Sequence, residues 1–103
     1  MKKIVILGNS PAIVKIIEDV RAAAPENEIV VWSMEKSLPY FPERLADYAA
    51  ENISLKEVLC RPEKFYQQNN VRLILGKDVN RINFRKGQLA NEEKEIVDYD
   101  FLV

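Results

Sequence analysis

The sequence predicts an α/β fold in which a parallel sheet carries a βαβ unit, with a small antiparallel β-hairpin or meander near the C-terminus. Residues 4–7 form an unbroken apolar run, which is typical of a parallel strand buried on both faces. Apolar residues at helical spacing follow over 13–24, and a second apolar run follows at 29–32. Beyond Gly76 apolar and polar residues alternate, which indicates antiparallel strands with one exposed face.

The first helix is predicted to begin just after Gly8. Ser10 is a favoured N-cap residue, and Pro11 suits the first helical position because its missing N–H needs no partner there. Pro25 marks the end of this helix. Residues 3–32 therefore make a compact βαβ unit, which is half of a Rossmann-like, three-layer arrangement.

The turn after the first strand is a reduced form of a dinucleotide-binding turn. That turn reads G-x-G-x-x-G, because glycine permits a tight bend, close approach of the backbone to pyrophosphate and close contact between helix and strand. The three positions hold Gly8, Ser10 and Ile13 here, so only the bend glycine is present. The helix N-terminus still offers N–H groups to an anion. The turn predicts weakened nucleotide binding or its loss, and a Ser-Pro helix start accounts for the same residues without any ligand.

An acidic residue follows the second strand where a dinucleotide site would use one. The loop over 33–42 leaves the carboxyl end of that strand, and Glu35 stands at about the usual distance from Gly8 for hydrogen bonding to a ribose. The alternative interpretation is a solvated loop carboxylate beside Lys36. The residue alone leaves both roles open.

The second half of the chain predicts short helices and further strands. Apolar residues on one face predict a helix from Glu43 to about Ala50, and Pro62 at a first helical position starts another. The remaining elements are a strand at 71–75, a hairpin or meander from Val79 with a turn at 85–87 and a return segment at 96–97, and an apolar strand at 99–103.

Composition limits the class of protein. A chain of 103 residues is one domain at most, and its net charge of -1, with both signs mixed along the sequence, predicts no nucleic-acid partner. No apolar run approaches the length of a membrane span and the start is not a signal peptide, so we expect no membrane partner and a cytoplasmic protein.

The cysteine and histidine counts exclude several chemistries. With one cysteine and no histidine, the chain has no disulfide framework, no cysteine-rich zinc site and no histidine-based nucleophilic system. No metal site is predicted. Cys60 lies on a short apolar face, which favours a small packed hydrophobe over a reactive thiol.

Several segments, taken in order, resemble the N-terminal part of the FAD-dependent pyridine nucleotide-disulphide oxidoreductases, in the branch of the NADH:rubredoxin reductases and the flavin segment of nitrite reductases. They are Lys3–Asn9 with Pro11-Ala12, Leu38-Pro39-Tyr40, Arg61–Tyr66, Leu75–Val79 and Tyr99–Val103. The resemblance runs through the whole chain. It implies a single partial FAD/NAD(P)-binding Rossmann-like domain over 1–103, cut out of a longer oxidoreductase and not catalytically complete alone.

The resemblance also implies roles for individual residues. The FAD pyrophosphate would lie on the turn formed by Gly8, Asn9, Ser10, Pro11 and Ala12. Glu35 would hold the adenosine ribose, and Lys36 or Arg44 would help to bind phosphate. Val79 would meet adenine through its backbone. The chain departs from the family at Ser10 and Ile13, and these departures predict FAD affinity that is weak or lost.

The redox chemistry implied by the resemblance is flavin chemistry without an active-site disulfide. Residues 33–52 contain no cysteine, and Cys60 lies too late in the chain to serve. In that branch hydride passes from NAD(P)H to FAD and electrons pass on to a separate acceptor. NAD(P)H would bind only through the missing portion of the protein.

Two functions follow. The chain is either the FAD-binding part of an NAD(P)H-dependent flavoprotein oxidoreductase, or a degenerate Rossmann-like module that has lost its cofactor and serves in interaction or assembly. In both cases an open sheet edge predicts a homo-oligomer or association with the remainder of the oxidoreductase.

Overall fold

The computed structural model describes all 103 residues and contains two sheets. The larger sheet is parallel, with the strands in the order β3-β2-β1-β7, and the smaller one is an antiparallel meander, β4-β5-β6. The strands are β1 Lys3–Leu7, β2 Glu28–Ser33, β3 Val71–Leu75, β4 Arg81–Asn83, β5 Gln88–Ala90, β6 Ile96–Asp98 and β7 Phe101–Leu102. The helices are α1 Ala12–Ala23, α2 Leu45–Ala49, α3 Leu55–Val58 and α4 Glu63–Gln68, with one 3-10 turn at Pro42–Arg44. The predicted α/β fold with a C-terminal meander is confirmed.

The larger sheet is covered on both faces, which gives the fold three layers. One face packs against α1 and α4 through a cluster consisting of Ile4, Ile6, Ile13, Ile17, Ile29, Val31 and Tyr66. The other face packs against the small sheet through a cluster consisting of Val5, Val30, Trp32, Ile74, Leu89 and Val97. Because consecutive strand residues point to opposite faces, β1 and β2 need apolar side chains at every position, and their continuous apolar runs follow from this.

The start of α1 differs from the prediction. The helix begins at Ala12, Pro11 is its N-cap and no side chain caps it, so the prediction that Ser10 caps the helix is wrong. The physical reason lies in the turn, where the carbonyl groups of Ser10 and Pro11 accept hydrogen bonds from the N–H groups of Ile13 and Val14, each at 3.1 Å. Backbone groups therefore satisfy the donors that a serine hydroxyl would otherwise serve.

The small sheet contains one strand more than a hairpin. The segment predicted to return against β4 is β6, whereas the strand that pairs with β4 is β5. Leu89 is the one large apolar residue of β5, which explains why alternation did not indicate this strand. Gly87, at φ +66°, lies in the turn between β4 and β5, and a Cβ there would lie 2.8 Å from the Tyr99 carbonyl oxygen. This close approach needs glycine.

Cys60 is a packed core residue, as the sequence predicts. It is buried, and burial raises the pKa of its thiol, which favours the unreactive protonated form. No helix of the structure combines the length and the apolar character that a membrane crossing requires. The cytoplasmic location stays a prediction.

Tyr66 carries a buried hydroxyl without a hydrogen-bond partner. We expect Tyr66→Phe to raise the free energy of unfolding at pH 7 by about 1 kcal/mol, because an unsatisfied buried polar group is removed. Urea denaturation followed by circular dichroism measures this change. Tyr48→Phe, at a partly exposed site, is the control and should leave the stability within about 0.5 kcal/mol.

The same hydroxyl predicts a pH dependence. Burial raises the pKa of Tyr66 to about 12, above the unfolded value near 10. Titration of this hydroxyl therefore leaves the stability unchanged below about pH 10 and lowers it as the pH rises to about 12, since only the unfolded state releases the proton in that window. The Phe variant should lack this part of the alkaline destabilisation. A variant that is less stable than the wild type at pH 7 would contradict the assignment of an unpaired hydroxyl.

Candidate functional site

A cavity of about 380 Å³ opens at the carboxyl ends of β1 and β2. This is the edge at which parallel α/β sheets bind their ligands. The cavity is lined by Leu7, Gly8, Asn9, Trp32, Ser33, Met34, Glu35 and Val79. The structure thus brings together the predicted site residues Gly8, Asn9, Glu35 and Val79 from three separate parts of the chain.

Gly8 forms the floor of the bend after β1. Its φ of +127° is a conformation that side chains rarely adopt, and its N–H donates to the Trp32 carbonyl at 3.0 Å. Apart from Gly8 and its two chain neighbours, no protein atom lies within 4 Å of the point where a Cβ would sit. The backbone therefore requires glycine, and the space beside it is open to a ligand.

Glu35 is held by neighbours from both sides. The Asn9 amide nitrogen lies 3.3 Å from Glu35 Oε2 and 3.3 Å from Ser37 Oγ. The pKa of the Tyr40 phenol is raised, mainly by its hydrogen bond to Glu35 and to a smaller extent by burial. The Asn9 amide and the Tyr40 phenol are thus the donors beside the carboxylate, and the structure gives it no ion pair with Lys36.

The backbone that carries Glu35 is fixed against the end of β3. The Glu35 carbonyl accepts from the Gly76 N–H at 2.9 Å, and the Glu35 N–H donates to Ser33 Oγ at 3.1 Å. Gly76 has a φ of +71°, and a Cβ there would lie 2.7 Å from Lys36 Cγ. Because the loop packs closely on this glycine, the backbone of Glu35 is held in place by the ends of β2 and β3.

The helix start offers few free donors for a phosphate. Pro11 has no N–H, and the N–H groups of Ile13 and Val14 are already paired with carbonyl groups of the turn. Ser10, Pro11 and Ala12 lie outside the cavity lining. Ile13, at the third glycine position, is 2 % exposed and forms part of the core.

The two predicted phosphate-binding cations do not line the cavity. The Arg44 guanidinium donates to the Glu57 carbonyl oxygen at 2.8 Å and lies 4.3 Å from the Phe41 ring centroid, so it is engaged elsewhere. Lys36 is exposed, with its side-chain stem against Gly76. The assignment of either cation to a phosphate stays a prediction.

A second cavity, of about 250 Å³, adjoins the first and shares Glu35 with it. The antiparallel bridge between Tyr40 and Leu59 closes one part of the surrounding loop. The lining residues are Glu35, Ser37, Tyr40, Leu45, Tyr48, Leu55, Val58 and Leu59. Sequence reasoning missed this cavity, because the apolar spacing of α2 and α3 indicates buried faces, whereas Leu45 and Leu55 are 44 % and 53 % exposed.

Sequence reasoning also missed Trp32, Ser33 and Met34 as cavity residues. Their signal is their position at the end of β2, directly before Glu35. The side chains of cysteine, aspartate and glutamate nowhere form a group of three that could hold a metal ion.

Comparison with known proteins gives one match by sequence and several by structure. No protein-family model matches the chain. The NADH-rubredoxin oxidoreductase of Clostridium acetobutylicum is 28 % identical over 101 residues, which cover 98 % of this chain and 26 % of that protein. The crystal structure of NADH:rubredoxin oxidoreductase from Clostridium acetobutylicum matches with a TM-score of 0.81 and 27 % identity, over 98 % of this chain and 26 % of that one.

The structure of the covalent putidaredoxin reductase–putidaredoxin complex matches with a TM-score of 0.88 and 25 % identity, over 98 % of this chain and 24 % of that one. The Rossmann-like fold and the resemblance to pyridine nucleotide-disulphide oxidoreductases are confirmed. The chain spans about a quarter of the length of the relatives that it matches.

Proposed function

We propose that this chain is the N-terminal FAD-binding portion of an NAD(P)H-dependent flavoprotein oxidoreductase, and that the adenosine half of FAD lies in the cavity at the ends of β1 and β2. The observation that carries this proposal is the convergence of Gly8, Asn9, Glu35 and Val79 on that cavity. The activity belongs to the whole oxidoreductase, and the chain alone binds the cofactor without completing the reaction.

The cavity fits the nucleotide half of FAD. Its volume of about 380 Å³ lies in the range of small-ligand sites, roughly 300–1,000 Å³. The open space beside Gly8 admits a ligand close to the backbone, and the Glu35 carboxylate supplies the acceptor that ribose hydroxyls need. When bound, FAD would accept hydride and pass electrons on, while the residues of this chain bind and orient its adenosine.

The affinity of the isolated chain for FAD is expected to be low. Ser10 replaces a glycine, the N–H groups of Ile13 and Val14 in the first turn of α1 are paired, and Arg44 is engaged with the Glu57 carbonyl. Each of these features removes a contact that a pyrophosphate would otherwise make. Binding therefore rests mainly on the adenosine contacts.

A titration of the purified chain with FAD, with AMP and NADH as comparators, tests the proposal. We expect saturable binding of FAD and AMP, and Glu35→Gln should weaken both by roughly tenfold or more, because hydrogen bonds to a charged acceptor contribute about 1.5–3 kcal/mol. Glu26→Gln, an exposed glutamate in the turn between α1 and β2, is the matched control and should bind like the wild type.

The Ser10→Gly variant makes the titration informative even if the wild type binds FAD too weakly to be measured. Removing the side chain beside the turn should strengthen FAD binding, because the backbone can then approach the pyrophosphate. Absence of saturation at millimolar FAD and AMP in both the wild type and Ser10→Gly would overturn the proposal.

A second candidate function, an interaction or assembly module without cofactor, rests on the outer edge of β7. This strand pairs on one side only, with β1, and Phe101 and Val103 are 56 % and 55 % exposed. Exposed apolar strand edges tend to pair, so we infer self-association of the chain through this edge. Sedimentation at high protein concentration tests the inference, and a monomeric profile would count against it.

A further inference from the structure

Asn9 makes a contact that the proposed function does not yet explain. Its side-chain amide bridges Glu35 Oε2 and Ser37 Oγ, at 3.3 Å from each, and its own oxygen is buried without a partner. The chemistry of the contact fixes which atom faces Glu35, because a carboxylate can only accept and the amide nitrogen can only donate. A buried oxygen without a hydrogen-bond partner costs stability, so an asparagine at position 9 needs a reason other than packing.

We propose that Asn9 is a positioning residue that holds the Glu35 carboxylate for a ribose hydroxyl, and that it thereby makes the cavity selective for ribose over 2′-deoxyribose. This inference rests on the proposed function, since it assumes that adenosine occupies the cavity. Asn9 binds Glu35 Oε2, and the carboxylate has lone pairs beyond those used by Asn9 and the Tyr40 phenol with which to accept from a ribose hydroxyl. The substrate class is then a nucleotide with a free 2′-hydroxyl.

The main argument is conformational. The backbone of Glu35 is already fixed by the Gly76 N–H and Ser33 Oγ, so only its side-chain torsions remain free. A glutamate side chain loses rotamer freedom when it binds a ligand, and a contact that fixes it beforehand removes part of that cost. Asn9 is well placed for this because it lies in the turn after β1, whereas Glu35 follows β2, and both line the cavity.

The closing experiment compares two probes, AMP and 2′-deoxy-AMP, by NMR chemical-shift titration of the chain. The wild type is expected to bind AMP about tenfold more tightly than 2′-deoxy-AMP. Asn9→Ala should weaken the binding of AMP by roughly fivefold and leave the binding of 2′-deoxy-AMP unchanged, so that the ratio of the two affinities falls toward one.

Two further variants separate positioning from a structural effect. Asn9→Asp keeps the shape of the side chain and replaces the donor by a second carboxylate, so it should also abolish the preference for ribose. Asn83→Ala removes an asparagine hydrogen bond to the Lys86 N–H in the small sheet and should retain the wild-type ratio.

The outcomes distinguish the two proposals. Equal weakening of both nucleotides by Asn9→Ala would overturn the positioning role, because Asn9 would then only shape the turn. AMP binding without any preference for ribose in the wild type would overturn it as well, and would leave the proposed function standing. No binding of either nucleotide to any variant would remove the proposed function and the positioning role together.

Discussion

Replacing Ile13 by glycine is expected to lower the free energy of unfolding by about 3–5 kcal/mol. The side chain is 2 % exposed and packs with Ile4 and Ile6 beneath α1, so its loss leaves a cavity in the core. Glycine adds a backbone cost inside the helix. Urea denaturation followed by far-ultraviolet circular dichroism measures the change.

The matched variant for this prediction is Ser10→Gly. Ser10 is exposed, its side chain does not cap α1, and its replacement should change the stability by no more than about 0.5 kcal/mol. An Ile13→Gly protein within 1 kcal/mol of the wild type would show that the helix does not depend on this contact. Since a glycine at position 13 is expected to damage the core, Ser10→Gly is the variant that tests the glycine motif without this loss of stability.

Trp32→Ala is expected to cost about 3–5 kcal/mol of unfolding free energy, for a different reason. Trp32 is 1 % exposed between the parallel sheet and the small sheet, in contact with the cluster that includes Leu89 and Val97. Its indole N–H donates to the Lys77 carbonyl at 2.9 Å, and truncation leaves that acceptor without its partner. The small sheet should then detach or become less protected from hydrogen exchange.

A second variant, Trp32→Phe, separates these contributions. It keeps most of the ring volume and loses the hydrogen bond, so we expect a cost of about 1–2 kcal/mol. Hydrogen exchange at the amides of Leu89 and Val97 is the local measurement. Unchanged protection of both amides in Trp32→Ala would contradict a role for Trp32 in holding the small sheet.

The larger sheet could be predicted closely because burial on both faces leaves a plain signal. The strand predicted at 71–75 coincides with β3, and the runs at 4–7 and 29–32 lie inside β1 and β2. The strand β5 could not be predicted, because three residues with one large apolar side chain carry no periodicity. The cap of α1 was predicted wrongly at Ser10, since the backbone of the turn satisfies the donors that residue type usually serves.

The candidate site could be predicted in its positions but not in its contacts. Gly8, Glu35 and Val79 line one cavity. They meet there because each follows one of the neighbouring strands β1, β2 and β3 of the parallel sheet. The link from Asn9 to Glu35 joins residues 26 apart and depends on side-chain torsions, which no pattern encodes. The family resemblance assigned Arg44 to phosphate, and its contacts with Glu57 and Phe41 depend on the path of the loop.

The position of Trp32 has a practical consequence. It is the one tryptophan of the chain, it lines the cavity, and its indole N–H is fixed to the Lys77 carbonyl. All tryptophan fluorescence therefore originates beside the proposed nucleotide site. FAD bound there would quench that emission, because its flavin ring absorbs where tryptophan emits, so the protein carries its own optical reporter of occupancy and needs no attached dye.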